Sequence, residues 1–594
     1  MTTTLLSLLH NQIDITQVPF SDRGSRILVN QYAGQSRLYI KLAERLINLQ
    51  PGLESYPARP PFIQGLTLIN ESGMALDFEV ISSAEKLEFK TDVGSFRLVF
   101  HDEKTLVFGL PPNAISGLRF NMEASETSQA EAGGRLKHLR CLAYESNGKI
   151  LINEISTNEI ITTVEIIMQA IEDPTITFKI YDNDSTSKHL PLTPFSTAHR
   201  NAENRWRDWF ECIPPVAEPY RQKYVYAWWV MANNLVSPKG YLKYETMMPT
   251  KAFYIGAWLW DCALHAIAFR HADAELARNQ LRVMLTHQLP DGMLPDAIFD
   301  EGVVSEIDHP IPGKVTKPPI LAWAALKLYD TDPDIEFLRE IYPALVRCNN
   351  WWFDANDDDS DGLVQYTHPY SSGLDNSPLW DYGMPVESPD INTYLNIQMN
   401  SLAGIAEILE KKDEAAIWRE RATKLVQRMM DDLWDEKTGV FNALYNEQPI
   451  PILTPFNLYP LWTGQLPEKA AKRLISHLTN PNEFWGRFMI PTVARNSQAH
   501  EPEVMWRGPV WANINYFFVE ALEKVGESEL ARELRDKTLR MIMEHPGICE
   551  YYNPETGEPA ASAANMFGWT AAVFIELALQ ATNDLETSQT KGIK

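Results

Sequence analysis

The sequence predicts a mainly α protein in two parts: an antiparallel β-sandwich, then a larger domain of helices that a toroid of helix pairs would fit, although periodicity by itself does not establish closure. Three observations predict this. Up to about residue 181, apolar residues fall in short alternating runs broken by turn signals. From Trp206 the apolar period changes from two to about 3.6. The helical segments are joined by long loops rich in Gly, Pro and Trp, and long ordered loops usually carry function.

The first region, residues 1–181, contains the alternating runs Phe78–Ile81, Lys86–Phe89, Phe96–Phe100, Leu118–Phe120, Val164–Ile167 and Ile176–Ile180. Turn pairs such as Asn147-Gly148 and Asn183-Asp184 punctuate them. No acid here has an aromatic, loop-like setting, so the region reads as a support domain. Residues 182–204 are polar and carry Pro191 and Pro194, which reads as a linker. Residues 205–585 form the helical domain. Leu321, Ala324, Ala325 and Leu328 share one face; so do Leu395, Met399, Leu402, Ala406 and Leu409, and so do Trp511, Ile514, Phe518, Leu522 and Val525. Residues 586–594 read as a polar tail.

Composition narrows the function classes. The chain has 594 residues, 45% of them apolar, enough for large cores. Its net charge of −25, with no basic run, argues against a nucleic-acid partner. Five cysteines without C-x-x-C spacing disfavour a disulfide framework and a zinc site. The N-terminus has no basic stretch followed by a long apolar core and reads as a mature start. No apolar run approaches the roughly 20 residues of a membrane span, so the expected compartment is the cytoplasm. The 17 Trp concentrate after about position 205, many beside Asp, Gly or Pro. A subset near polar loops fits carbohydrate stacking, in which an aromatic ring packs on the apolar face of a sugar.

The loop Ser371–Asp381 combines loop formers with two carboxylates and Trp380. A sugar-holding loop needs both, because ring faces favour aromatics and hydroxyls favour carboxylates. Asp375 is the candidate catalytic acid; taken alone, it also fits a turn-capping Asp. Four further clusters lie in the helical half. Gly256–Asp261 opens a helix; Asp261 either caps that helix or grips a sugar hydroxyl beside Trp258. Gln288–Pro295 and Lys314–Pro319 read as turns and a helix opener. Met505–Trp511 reads as a recognition cluster or a buried Trp pair with one surface Arg. Cys549–Gly557 places Glu550 beside Tyr551, before a turn. Glycosidases commonly use two carboxyls, one protonated and one ionised. Asp375 and Glu550 both have apolar or aromatic neighbours, which favour the protonated form of an acid. The stretch Asp354–Gly362 alternates acids like a calcium loop, but position 368 is His where such a loop has Glu. It reads as a solvated acidic turn, with a structural calcium ion at Asp357, Asp359 and Asp361 as the alternative.

Taken together, the clusters resemble glycoside hydrolase family 63 and its relatives, the family 37 trehalases. The resemblance covers about 205–580 and rests on five ordered motifs: Trp258–Asp261, Ser372–Pro378, Trp506–Trp511, Glu550–Pro554 with Gly557, and Phe567–Thr570. It implies an (α/α)6 toroid and an inverting hydrolase of an α-glucoside or close analogue, with Asp375 as general acid, Glu550 as general base and no catalytic cofactor. It also implies Trp258, Asp261, Gly373, Trp506 and Arg507 in sugar binding. The same clusters offer Trp260, Gln288, Lys317, Asn376 and Trp511 as further substrate-binding candidates. The expected partner is a small carbohydrate. The alternatives are a phosphorylase on the same toroid and an inactive carbohydrate-binding protein. One departure stands out: Thr316-Lys317-Pro318-Pro319 carries Lys where relatives usually have Gln. A pocket-facing Lys317 would favour an anionic aglycone such as glycerate.

Overall fold

A computed structural model describes residues 5–44, 59–169, 171–183, 190 and 192–591. Residues 184–189 and 191 of the expected linker, and the last three of the expected tail, lie outside these. The chain divides into two compact units. The first comprises Met1–Ile213, Ala232–Ser237 and Lys251–Ile255; the second comprises Pro214–Met231, Pro238–Thr250 and Gly256–Lys594.

The first unit contains two antiparallel sheets. The six-stranded sheet runs in the order Ile27–Gln31, Leu38–Leu42, Ile63–Asn70, Ser116–Glu123, Ile161–Met168, Ile150–Asn158. The eight-stranded sheet runs Glu79–Ser82, Leu87–Thr91, Gly94–Asp102, Thr105–Gly109, Thr175–Tyr181, Cys141–Ser146, Gly133–Lys137, Glu126–Ala130. Alternation builds the core: Leu118, Phe120 and Met122 are buried while Arg119, Asn121 and Glu123 between them are not. Phe120 meets Phe178 of the other sheet at 5.0 Å between ring centroids and Tyr144 at 6.0 Å, so the two sheets share one apolar layer.

The expected linker is helical from Phe195. Helix α1 (Phe195–Glu211) buries Phe195, Ala198, Ala202, Trp206, Trp209 and Phe210, a helical spacing. Phe195 and Ala198 pack on Val99 and Val107 of the sheet. Arg205 donates to Asp22 at 2.6 Å and to the Phe100 carbonyl at 2.8 Å. The polar composition of 195–204 therefore belongs to the outer face of a docked helix.

After α2 (Arg221–Asn233), the second unit contains α3 (Leu259–Phe269), α4 (Ala274–Leu285), α5 (Leu321–Thr331), α6 (Ile335–Asn356), α7 (Pro389–Ile408), α8 (Lys412–Arg428), a 3₁₀ segment Pro455–Thr463, α9 (Glu468–Leu478), α10 (Ala512–Lys524), α11 (Ser528–Met543) and α12 (Gly568–Lys591). Helix α3 lies against α5, α5 against α7, and α7 against the 3₁₀ segment. That segment lies against α10, α10 against α12, and α12 back against α3. Every residue of α3 and of the 3₁₀ segment is buried, the condition of an interior element. Helices α4, α6, α8, α9 and α11 each pack on the inner element they follow. Asp273 and Asp334 start α4 and α6 by accepting Leu276 N–H (2.9 Å) and Phe337 N–H (3.0 Å). The residues expected as a polar tail continue α12 to Lys591: residues 583–587 are exposed helix, so polarity there marks solvation of the helix and not its end.

Connection length is asymmetric. An inner element passes to its outer partner through 270–273, 332–334, 409–411, 464–467 or 525–527. The return paths 286–320, 357–388, 429–454, 479–511 and 544–567 are long. The long segments all enter inner elements at their N-termini, and they carry most of the motifs singled out in the sequence. Among the described residues, no helix is long and apolar enough to cross a membrane.

Candidate active site

Asp375 sits between two 3₁₀ turns, Pro369–Ser372 and Pro378–Tyr382. Gly373 closes the first turn at φ 74°, and a Cβ there would run into the Trp260 ring. The Leu374 N–H donates to Ser372 Oγ at 2.9 Å. The Leu374 carbonyl accepts from Ser377 N–H at 2.9 Å and from Trp380 Nε1 at 2.6 Å. The peptide leading into Asp375 is thereby fixed. Asp375 Oδ1 is buried and has no hydrogen-bond partner among the described residues. Burial pushes the Asp375 carboxyl up to about 6; Lys317 opposes the rise and Asp296 adds to it.

Three more charged groups share this site. Asp261 stands in the first turn of α3, whose N-cap is Trp258, so it is not the cap considered from the sequence. Burial pushes its carboxyl well above the usual range, against the pull of Lys317. Asp296 ends the loop before the short strand Ala297–Phe299, and its carbonyl accepts Leu259 N–H at 3.2 Å. It too is raised by burial, with Lys317 and a Trp258 hydrogen bond opposing. Lys317, just ahead of α5, is buried; its Nζ pairs with Asp296 Oδ1 and donates to the Tyr370 carbonyl at 2.6 Å. Burial alone would lower this ammonium, but Asp296, Asp375 and Asp261 outweigh it and hold it above its ordinary value. Asp296 escapes a reading of the sequence because it lies one residue past the Gln288–Pro295 turn, at the start of an apolar strand that resembles plain core.

Glu550 is buried on a different loop. Its N–H donates to Ala564 O at 2.9 Å, and its Oε2 accepts Ala564 N–H at 3.1 Å, which fixes the carboxyl. A continuous set of aromatic contacts runs from the Asp375 turn to this segment. Gly373 abuts Trp260. The Trp260 ring lies 6.0 Å from Trp506, which stacks on Trp511 at 3.7 Å; Trp511 in turn lies 4.7 Å from Tyr551. Two main-chain hydrogen bonds join Val510 and Tyr552, at 2.7 and 3.0 Å. Asn376 ties the same loops together, its Oδ1 accepting Trp506 N–H at 2.9 Å.

Several of the expected sugar contacts have other tasks. Trp260, Trp506 and Trp511 are 3%, 1% and 1% exposed, and their rings pack on one another, as the wall beside the Asp375 turn. Flat aromatics beside loops look alike in sequence whether they stack on ligand or on each other. Trp258 is half-buried, its ring edge-on to Phe299 at 5.6 Å. Arg507 is bidentate to Asp381 (2.8 and 3.1 Å) and reaches Glu501 at 2.5 Å, clamping the Asp375 loop. The Gln288 side chain holds its own turn: it donates to Gly292 O and Ala344 O, both at 2.8 Å, and accepts from Arg347 at 2.5 Å. In the acidic turn, the Asp357, Asp359 and Asp361 carboxylates lie within 4.8 Å of one another. Gly362 N–H donates to Asp357 and Leu363 N–H to Asp361, and Arg428 pairs with Asp361 at 3.2 Å.

Inner helices backed by outer ones, with a desolvated acid on one long loop and a buried carboxylate on another, are compatible with a glycosidase, and the comparisons with known proteins place the chain in that class. Residues 254–570 match the family described as the mannosylglycerate hydrolase MGH1-like glycoside hydrolase domain, and the chain belongs to that family, within glycoside hydrolase family 63. It is 29% identical over 406 residues to a mannosylglycerate hydrolase of Thermus thermophilus, covering 55% of this chain and 95% of that one. A crystal structure of a GH63 mannosylglycerate hydrolase from Thermus thermophilus, in complex with glucose, superposes with a TM-score of 0.52 at 25% identity, over 60% of this chain and 99% of that one. A bacterial glucoamylase complexed with acarbose shares the fold over 95% of this chain and 94% of its own, with a TM-score of 0.59 at 11% identity.

Proposed function

We propose that the second unit is an (α/α)6 toroid and that its long loops hydrolyse a small α-linked glycoside, a glucoside or close analogue such as a glycosylglycerate, with inversion. Asp375 protonates the glycosidic oxygen, and Glu550 takes a proton from a water on the opposite face of the sugar. Inversion needs space for that water, so the two carboxyls should stand roughly 6.5–9.5 Å apart in the substrate complex. No cofactor takes part in this chemistry.

The observation that carries the reading is the Asp375 carboxyl: one oxygen buried without a partner, on a loop fixed by Gly373 and Leu374. A general acid needs a proton near neutral pH, and desolvation supplies the required bias. The cycle of inner-element contacts supports the toroid, and the Thermus relative's name supports a glycosylglycerate among the substrates. The test follows the anomer first released from α-mannosylglycerate and α-glucosylglycerate by proton NMR. The β-anomer is expected; an initial α-anomer would refute inversion. Glu550→Gln should lower kcat about 10³-fold with folding intact, and wild-type turnover in that variant would remove Glu550 as the base.

A further inference from the structure

Lys317 stands where the resemblance implies Gln, and its surroundings are unlike those of a ligand-binding cation. Its ammonium is buried, paired with Asp296 Oδ1 and donating to the Tyr370 carbonyl on the Asp375 loop. The neighbouring Thr316 N–H donates to Ser371 Oγ at 3.3 Å on the same loop. Asp296 is anchored in turn, its N–H donating to Val304 O at 2.9 Å and its carbonyl accepting from Leu259 at the start of α3. The pair therefore bridges the start of α3, the entry to α5 and the loop that carries Asp375. The titratable groups around it are Asp261 from α3, Asp296 itself, and His368, Tyr370 and Asp375 from the 357–388 loop. One cation faces three carboxyls: Asp261 and Asp296 are buried, and Asp375 is half-buried with its Oδ1 buried.

We propose that Lys317 and Asp296 form an internal ion pair that ties the Asp375 loop to the starts of α3 and α5 and so positions Asp375, and that Lys317 is not the receptor for the aglycone. The inference rests on Asp375 being the general acid. Lys317 is a positioning residue here: its charge acts on the acid through the protein and need not touch substrate. The two members act in opposite directions, since Lys317 favours the carboxylate of Asp375 and Asp296 disfavours it.

The test is a charge-removal cycle read as pH profiles of kcat/KM, with α-glucosylglycerate and the neutral α-glucosylglycerol as probes. In Lys317→Gln the alkaline limb should move up by about one pH unit; in Asp296→Asn it should move down by about the same. The double variant, which removes both charges, should return toward wild type, and Lys317→Arg should keep the wild-type limb. A general loss of structure lowers activity at every pH and cannot give opposite shifts. Lys317→Gln should change kcat/KM for the acidic and the neutral probe by the same factor. A selective rise in KM for the acidic probe alone, with the limb unmoved, would make Lys317 the aglycone receptor and overturn the proposal. Full turnover in Asp375→Asn would instead defeat the assignment of the acid; a dead Asp375→Asn with unmoved limbs in the two single variants would defeat only this inference.

Discussion

Two acid-bearing turns lie in the one segment that joins α6 to α7, and their chemistry is opposite. The turn at 357–362 has more carboxylates, yet it is largely exposed, and its acids bond to neighbouring backbone amides and to Arg428. The turn at 373–377 has one carboxylate; Gly373 abuts Trp260, Leu374 is buried, and Asp375 Oδ1 is buried without a partner. Water stabilises charge in the first turn, and desolvation shifts Asp375 toward its protonated form in the second. The density of acids in a sequence therefore says little about which acid is desolvated.

The largest expected effect separates the two turns directly. Asp375→Asn should cut kcat by about 10³-fold, whereas Asp359→Asn should leave steady-state kinetics within about twofold, since exposed charges contribute little. Comparable losses in both would erase the contrast. Next come the two glycines in these turns. Gly362→Ala meets only backbone strain at φ 92°, with open space around the new Cβ, and should cost about 1–2 kcal/mol in urea unfolding. Gly373→Ala meets similar strain and also the Trp260 ring, so it should cost more and lower kcat as well.

A pH effect sharpens the contrast further. In wild type the alkaline limb of kcat/KM should fall as pH rises through about 6, where Asp375 loses its proton. Near the exposed turn, Glu387 is held up to about 7 by burial and then by Asp361, Asp359, Asp432 and Asp358. Its folded value exceeds the ordinary 4.5, so its contribution to stability is complete below that pH and is lost as pH rises toward about 7. Glu387→Gln should flatten the melting temperature across that window while leaving the kinetic limb in place. The smallest effect belongs to the acidic turn itself: Asp359→Asn should raise the melting temperature slightly by relieving repulsion from Asp357 and Asp361. A fall, together with stabilisation by millimolar calcium in wild type, would put an ion among those carboxylates.

Much of the architecture is legible in the linear pattern, because periodicity reports which face of an element meets the core. The runs at Phe96–Phe100 and Ile176–Ile180 are strands, and the stripes at Leu321–Leu328 and Leu395–Ala406 lie on α5 and α7, with Leu409 at the C-cap of α7. A strand such as Glu126–Ala130, exposed throughout, has no core face and leaves no such trace. The helix in 195–204 is masked by its polar outer face.

The sequence by itself determined the two-part architecture and singled out the loop that carries Asp375, because local propensity, turn chemistry and apolar spacing are encoded residue by residue. Only the tertiary structure decided what each charged or aromatic side chain faces. It turned Trp506 and Trp511 into a wall, Arg507 into a clamp and Gln288 into a turn support, and it set Asp296 beside Lys317. Those roles depend on which distant segments share a desolvated volume, and that is fixed by the packing of whole helices and loops, not by neighbours along the chain.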